Sequence, residues 1–370
     1  MKKIFVCLFL TFFYPKIFKI IQAQELSSPS FFKRNLSMPL DVNFEFLKES
    51  RDIDYGRFRD KQRFYYTNFQ FDIKGALNQN IGFNFETLLN STTLNESDIL
   101  ESITNANIVV RSNNHKWSFC LGRYIVKFGS CEQYYSGSDV AVYSLVGGAI
   151  GVFKTGASIA YTPNDHQDIG FQIVNADNDN TVLYMEYNLY WRGDIFPDLL
   201  RTYMSVSTVQ KGQLDRFPYA LNIGLQWHID DFVLDTDYRQ LKNMTNFYKG
   251  VRYASIPIKL QYETNHFCPY VKYIYNRVDF NGLNFNVENS LSSLDALDDL
   301  SSHTYLLGLQ FYPKQDGCLS FYLIGAYTSE EDILSSIPNL ASSNSRGVHY
   351  GKYQIQAGLK LKLDFLKSRT

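Results

Sequence analysis

The chain has 370 residues, 45% hydrophobic and 16% aromatic, with 27 Tyr and 29 Phe, a composition that favours strands over helices. Its 36 basic and 37 acidic residues leave a formal net charge of −1. No global field therefore recruits nucleic acid or an anionic membrane surface, and a nucleic-acid partner is not expected.

At the N-terminus, Lys2 and Lys3 precede the apolar run Ile4 to Tyr14, and Ile21-Gln22-Ala23 places a small residue before Gln24. This pattern predicts a secretory signal peptide over 1–23 and a mature chain over 24–370. Pro15, Lys16 and Lys19 interrupt the run short of the roughly 18 apolar residues that a helical span needs. The later apolar stretch around Val140 to Phe153 is also too short. An exported, aromatic-rich chain without a helical span is either a soluble β-protein of the periplasm or surface, or an outer-membrane barrel.

Period-two alternation then runs along the chain. Tyr65, Thr67, Phe69, Phe71 and Ile73 alternate with Tyr66, Asn68, Gln70 and Asp72; Leu183, Met185, Tyr187 and Leu189 alternate with Tyr184, Glu186, Asn188 and Tyr190. Tyr219 to His228 repeats the pattern, and Tyr353 to Phe365 holds it for thirteen residues, longer than an ordinary strand and long enough to cross a bilayer at a tilt. Short links at 75–79, 112–115, 163–167, 193–197, 230–231, 264–267 and 313–317 alternate with mostly longer polar segments. The longer ones are Lys48 to Lys61, Asn90 to Ser102, Val126 to Gly148, Gln210 to Arg216, Leu241 to Val251, Asp279 to Ser302 and Ser329 to His349. The predicted fold is all-β: a single transmembrane antiparallel β-barrel of about sixteen strands, with short periplasmic turns, long outer loops and an aqueous interior. Tyr and Trp near strand ends, including Trp117, Tyr161, Trp191, Trp227, Tyr262 and Tyr312, suit a membrane interface.

Residues 116–125 form the expected fifth strand, and 126–148 the third outer loop. In large porins that loop folds into the lumen, which calls for charged residues beside small ones that allow tight bends. Lys127, Glu132 and Asp139 are therefore the candidate pore constriction. Parity turns Lys154, Arg201, Lys259, Lys272, Lys360 and Lys362 toward the lumen, with Arg111 and Arg239, against Asp72, Glu86, Glu186, Asp235, Asp237 and Asp364. The balance is mildly positive and predicts weak anion preference or little selectivity. For any single charge the plainer role is a solvated barrel wall.

Gly122-Arg123, Lys127-Phe128-Gly129, Glu132, Asp139, Tyr143-Ser144, Gly156 and the later "GLQFYP" at 308–313 resemble the porin O and P family, named for phosphate-selective outer-membrane channels. The resemblance implies the outer membrane of a Gram-negative bacterium, contact with its lipid, a homotrimer, and passive diffusion of small polar solutes or anions, phosphate included. The family's phosphate channels use a ladder of lumen arginines, and this chain has no such ladder.

No cofactor, metal or enzymatic activity is expected: G-x-S-x-G, H-E-x-x-H and Walker A motifs are lacking, and no histidine shows metal-ligand spacing. The alternatives are a surface adhesin or binding module that uses loops such as Asp279 to Ser302, and a barrel hydrolase with a Ser/His pair formed only in three dimensions. Cys7 leaves with the signal. Cys268 and Cys318 begin strands separated by another, roughly 10 Å apart and too far for a bridge. Cys120 and Cys131 leave a bridge open, with free thiols favoured.

Overall fold

The computed structural model describes residues 36–54, 57–89, 102–135, 137–176, 184–210, 218–244, 251–279, 300–314, 318–329 and 351–364. The expected signal peptide, Phe365, His349 and most of Asp279 to Ser302 lie outside these residues.

Strand β1 comes in two pieces, Leu36–Ser37 and Pro39–Asp54, on either side of Met38. It is followed by β2 (Arg57–Ala76), β3 (Ile81–Leu89), β4 (Ile103–Arg111), β5 (Trp117–Ile125), β6 (Phe153–Asn164), β7 (Gln167–Asn175) and β8 (Met185–Phe196). The second half is β9 (Leu200–Val209), β10 (Tyr219–Ile229), β11 (Phe232–Lys242), β12 (Arg252–Tyr262), β13 (Phe267–Asp279), β14 (Leu300–Phe311), β15 (Leu319–Ser329) and β16 (Gly351–Asp364). Each strand pairs antiparallel with its successor, and β16 returns to β1 from Gly351↔Asp52 to Asp364↔Pro39. This closes a sixteen-stranded barrel with no free edge, which is what lets strands cross lipid.

The two faces are inverted relative to a soluble sandwich. Large apolar side chains point outward and lie bare, among them Leu307 (66% exposed), Leu121 (58%) and Leu323 (55%). Asn188, Ser207, Asn222, Ser255 and Asn276 point inward and are buried. Only a hydrocarbon surround covers such an exterior, so the barrel is transmembrane. Aromatic pairs ring both ends: Trp117–Tyr161 (4.6 Å), Phe232–Tyr262 (4.8 Å) and Phe267–Phe311 (5.0 Å) near the short turns, Tyr273–Tyr305 (5.3 Å) and Tyr327–Tyr353 (4.7 Å) toward the loops. Such belts match the two interfaces of a bilayer.

Two expectations are corrected. Lys48 to Lys61 is a continued hairpin rather than a long loop: Lys48↔Gln62 and Glu49↔Lys61 stay paired, and only 55–56 separate the strands. The alternation read from Tyr65 to Ile73 is broken, because Asn43 pairs with Asn68 but Phe44 with Tyr66, so Thr67 is the extra residue of a bulge. A bulge shifts side-chain parity by one, and Phe64, 84% exposed, carries the outward face above it. Strand β8 is described from Met185, and Leu183 lies outside the described residues.

A closed barrel of this kind resists detergent until heated. Unboiled protein is expected to migrate faster on a detergent gel than boiled protein and to give a β-rich circular dichroism spectrum. Identical mobility with a helical spectrum would contradict the fold.

Candidate functional site in the barrel lumen

Between β5 and β6 the chain does not leave the barrel by the shortest route. Val126 and Phe128 are buried with Tyr124 and Val174, which turns the segment inward at its root. Gly129 then adopts φ +63° with its α-carbon against the β9 backbone, where an added Cβ would lie 2.4 Å from the Met204 carbonyl carbon. Only glycine tolerates both the left-handed backbone and that approach. A 3₁₀ turn follows at Cys131–Tyr134, then short helical turns at Gly137–Val140 and Leu145–Ala149. Ser144 caps the last of these, its Oγ accepting from the Gly147 amide at 3.2 Å.

The segment is fixed to the lumen wall by a buried ionic cluster. Asp237 of β11 accepts from Ser130 Oγ (3.0 Å), the Cys131 amide (2.9 Å) and Arg239 Nη2 (3.2 Å). Glu132 accepts from Lys272 Nζ (2.6 Å) of β13, Arg239 Nη2 (2.9 Å) of β11 and Ser144 Oγ (2.9 Å). Burial opposes ionisation of Glu132, but Lys272 and Arg239 overcome it and hold the carboxyl down at about 2. Farther along, the Leu145 amide donates to Asn276 (3.0 Å) and the Val146 amide to Ser255 Oγ (3.1 Å), while Val146 packs with Leu241, Val251, Tyr253 and Val278. Asp139 accepts from Gln310 (2.8 Å) on β14 and reaches Lys360 (3.6 Å) on β16.

A cavity of about 630 Å³ lies on the other side of this segment. Its far wall is formed by Asp41, Asn43 and Glu45 of β1, Gln70 of β2 and Glu86 of β3, and the near side includes Glu132, Tyr143 and Gly147. The lumen thus has a filled half, over β9–β14, and an open half, along β1–β3.

This is a porin-like barrel. Salmonella typhi OmpF, solved in complex with daunomycin, superposes with a TM-score of 0.58 at 12% identity, over 90% of this chain and 98% of that one. The trimer form of OmpT, an outer membrane protein of Vibrio cholerae, gives 0.57 at 11% over 89% and 99%. A structure described as a porin gives 0.53 at 9% over 89% and 100%. At these identities the likeness is one of architecture. No protein-family model and no curated protein matches the chain.

Within the porin-like barrel, most of the residues singled out from sequence are held by partners on other strands or on the inward segment. Lys127 sits at the root of the inward segment, its Nζ 2.5 Å from Asp168 and 3.1 Å from Tyr190 Oη, away from the open cavity. Lys154 lies buried against Glu186 at 2.7 Å. Lys259 stands over the rings of Tyr135 (3.9 Å) and Tyr270 (4.8 Å), a cation–π arrangement. Arg201 binds Asp194 at 2.6 Å near the short-turn end, beside His166 on the same carboxylate at 2.9 Å. Lys362 lies 3.9 Å from Asp41. Cys120 and Cys131 are both free: the first packs beside the Tyr124 cluster, the second lies against Gly224. Burial pushes the Cys131 thiol well up, so it is no nucleophile at neutral pH.

Sequence reasoning missed Asp41, Asn43 and Glu45. The signal was present: Asp41, Asn43 and Glu45 alternate with Val42, Phe44 and Phe46, the same period-two pattern read elsewhere.

Proposed function

We propose that the protein is an outer-membrane porin of a Gram-negative bacterium, exported by the segment 1–23, that forms a water-filled channel for passive diffusion of small polar solutes. The observation that carries this reading is a closed barrel whose inward segment is fastened to one half of the wall while a cavity of about 630 Å³ stays open along the other. Lys127, Glu132 and Asp139 serve as anchors of the constriction, their charges tied to Asp168, to Lys272 with Arg239, and to Lys360. A homotrimer is favoured by the porin O and P resemblance and by the trimer form of the Vibrio cholerae neighbour. The same resemblance favours anions, but phosphate is not part of the proposal, because the lumen lysines and arginines sit beside carboxylates rather than forming a free cationic ladder.

The activity is conduction, not catalysis. Purified protein in a planar bilayer is expected to give stepwise, salt-dependent conductance, and the same sample to release no fatty acid from lipid vesicles. Lipid hydrolysis without conductance would replace the channel with an enzyme.

A further inference from the structure

The open half of the lumen differs chemically from the filled half. Among the described residues, two cations face the cavity, Arg239 and Lys360, and each lies against a carboxylate of the inward segment, Arg239 on Glu132 at 2.9 Å and Lys360 near Asp139 at 3.6 Å. The opposite wall carries acceptors. Asp41, Asn43 and Glu45 take successive inward positions on β1, and Glu86 on β3 lies directly across from Asp72 on β2. Like charges placed opposite each other on neighbouring strands are unfavourable. Lys74 attends Asp72 at 3.0 Å, while Glu86 accepts from the neutral Thr104 Oγ1 (2.6 Å) and Asn105 Nδ2 (2.8 Å). Glu45 accepts from Tyr322 Oη at 2.8 Å.

A second observation points to what this wall meets. Asn43 is only 3% exposed and lines the cavity, and among the described residues its Oδ1 has no donor; neither has Asp41 Oδ1. Buried acceptors without donors are unfavourable, and a permeant rich in N–H groups satisfies them. Carboxylates outnumber cations among the described residues that line the cavity.

We propose that the open half of the lumen is a path for hydrogen-bond-donating cations of the alkylammonium class, with Asp41, Asn43, Glu45 and Glu86 as the acceptors they meet. The inference rests on the channel reading above and assigns that channel its selectivity. A lumen wall with an excess of carboxylates concentrates counter-ions, so the preference is for cations, against the weak anion preference that the residue count alone suggested.

The test uses the full-length mature barrel in planar bilayers, first under a potassium chloride gradient and then with putrescine added. The expected result is a potassium-over-chloride permeability ratio of several-fold, with single-channel current reduced by millimolar putrescine. In E45Q/E86Q the ratio should fall toward about one and putrescine should lose its effect, since rings of charge set selectivity at close quarters. Should the double variant lose heat-modifiability, D41N and E86Q singly carry the comparison. A wild-type channel that prefers chloride, or is indifferent to putrescine, overturns the inference and leaves the channel standing. A correctly folded barrel with no conductance overturns both.

Discussion

Glu132→Ala is expected to raise single-channel conductance and to make the open current noisier while leaving the barrel heat-modifiable. The substitution removes the carboxylate shared by Lys272 and Arg239; Arg239 keeps Asp237, but Lys272, only 2% exposed, is left with the Val140 and Val142 carbonyls and no counter-charge. Breaking one partner out of a buried ionic cluster typically costs about 3–5 kcal/mol. That loss falls on the seating of the inward segment rather than on the barrel, whose strand pairing does not involve Glu132. A double-mutant cycle with Lys272→Met separates the pair from general disruption, because coupled partners give a non-additive sum. Additive effects on conductance would refute the latch. Acid should reproduce the release. Glu132 titrates at about 2 in the folded protein, below its ordinary value of about 4.3. Its contribution is therefore complete above that ordinary value and is lost as pH falls toward about 2, with a span of about 3 kcal/mol. Conductance recorded from pH 7 to pH 4.5 should stay flat and should climb only in stronger acid.

Gly129→Ala is the second large effect. At φ +63° an alanine is strained by about 1–2 kcal/mol, and its Cβ would lie 2.4 Å from the Met204 carbonyl carbon and 2.5 Å from the Ser205 amide nitrogen. Both are backbone atoms of a paired barrel strand and cannot swing aside. The segment must lift instead, which pulls Ser130 and Cys131 away from Asp237. Expected are a changed conductance and faster cleavage of the 126–148 region by protease, with barrel strands protected. Gly325→Ala is the matched control, since nothing lies within 4 Å of the place its methyl group would take. Equal protease resistance in the two variants would show that Gly129 does not set the seat.

Sequence patterning carried the architecture because alternation and connection length are local properties. Strand β16 reads off Tyr353 to Phe365 without reference to any neighbour, and short links at 230–231 or 163–167 mark turns by composition alone. The bulge at Thr67 was invisible, since it is a relation between two strands and not a property of one. The same limit applies inside the lumen. Parity places Lys272 and Arg239 on the inner face, but that both converge on Glu132 depends on how far the segment from Val126 reaches across the barrel, and no residue spacing encodes that distance. The acceptor wall of β1 was legible in principle, because Asp41, Asn43 and Glu45 alternate with outward apolar residues.

The seam between β1 and β16 bears on how the molecule comes into being. Ser37 Oγ donates to Asp364 at 3.1 Å across 327 positions of sequence, and fourteen residue pairs from Gly351↔Asp52 to Asp364↔Pro39 knit the two chain ends. Every other strand pair joins sequence neighbours and forms by zipping one hairpin onto the next. The seam needs the last strand and joins it to the first. Until then both terminal strands present bare amides and carbonyls, which water tolerates and hydrocarbon does not. Closure of the ring thus depends on β16 pairing on both sides, with β15 and with β1, and a polypeptide stopped before Gly351 has an open sheet where the mature protein has a wall.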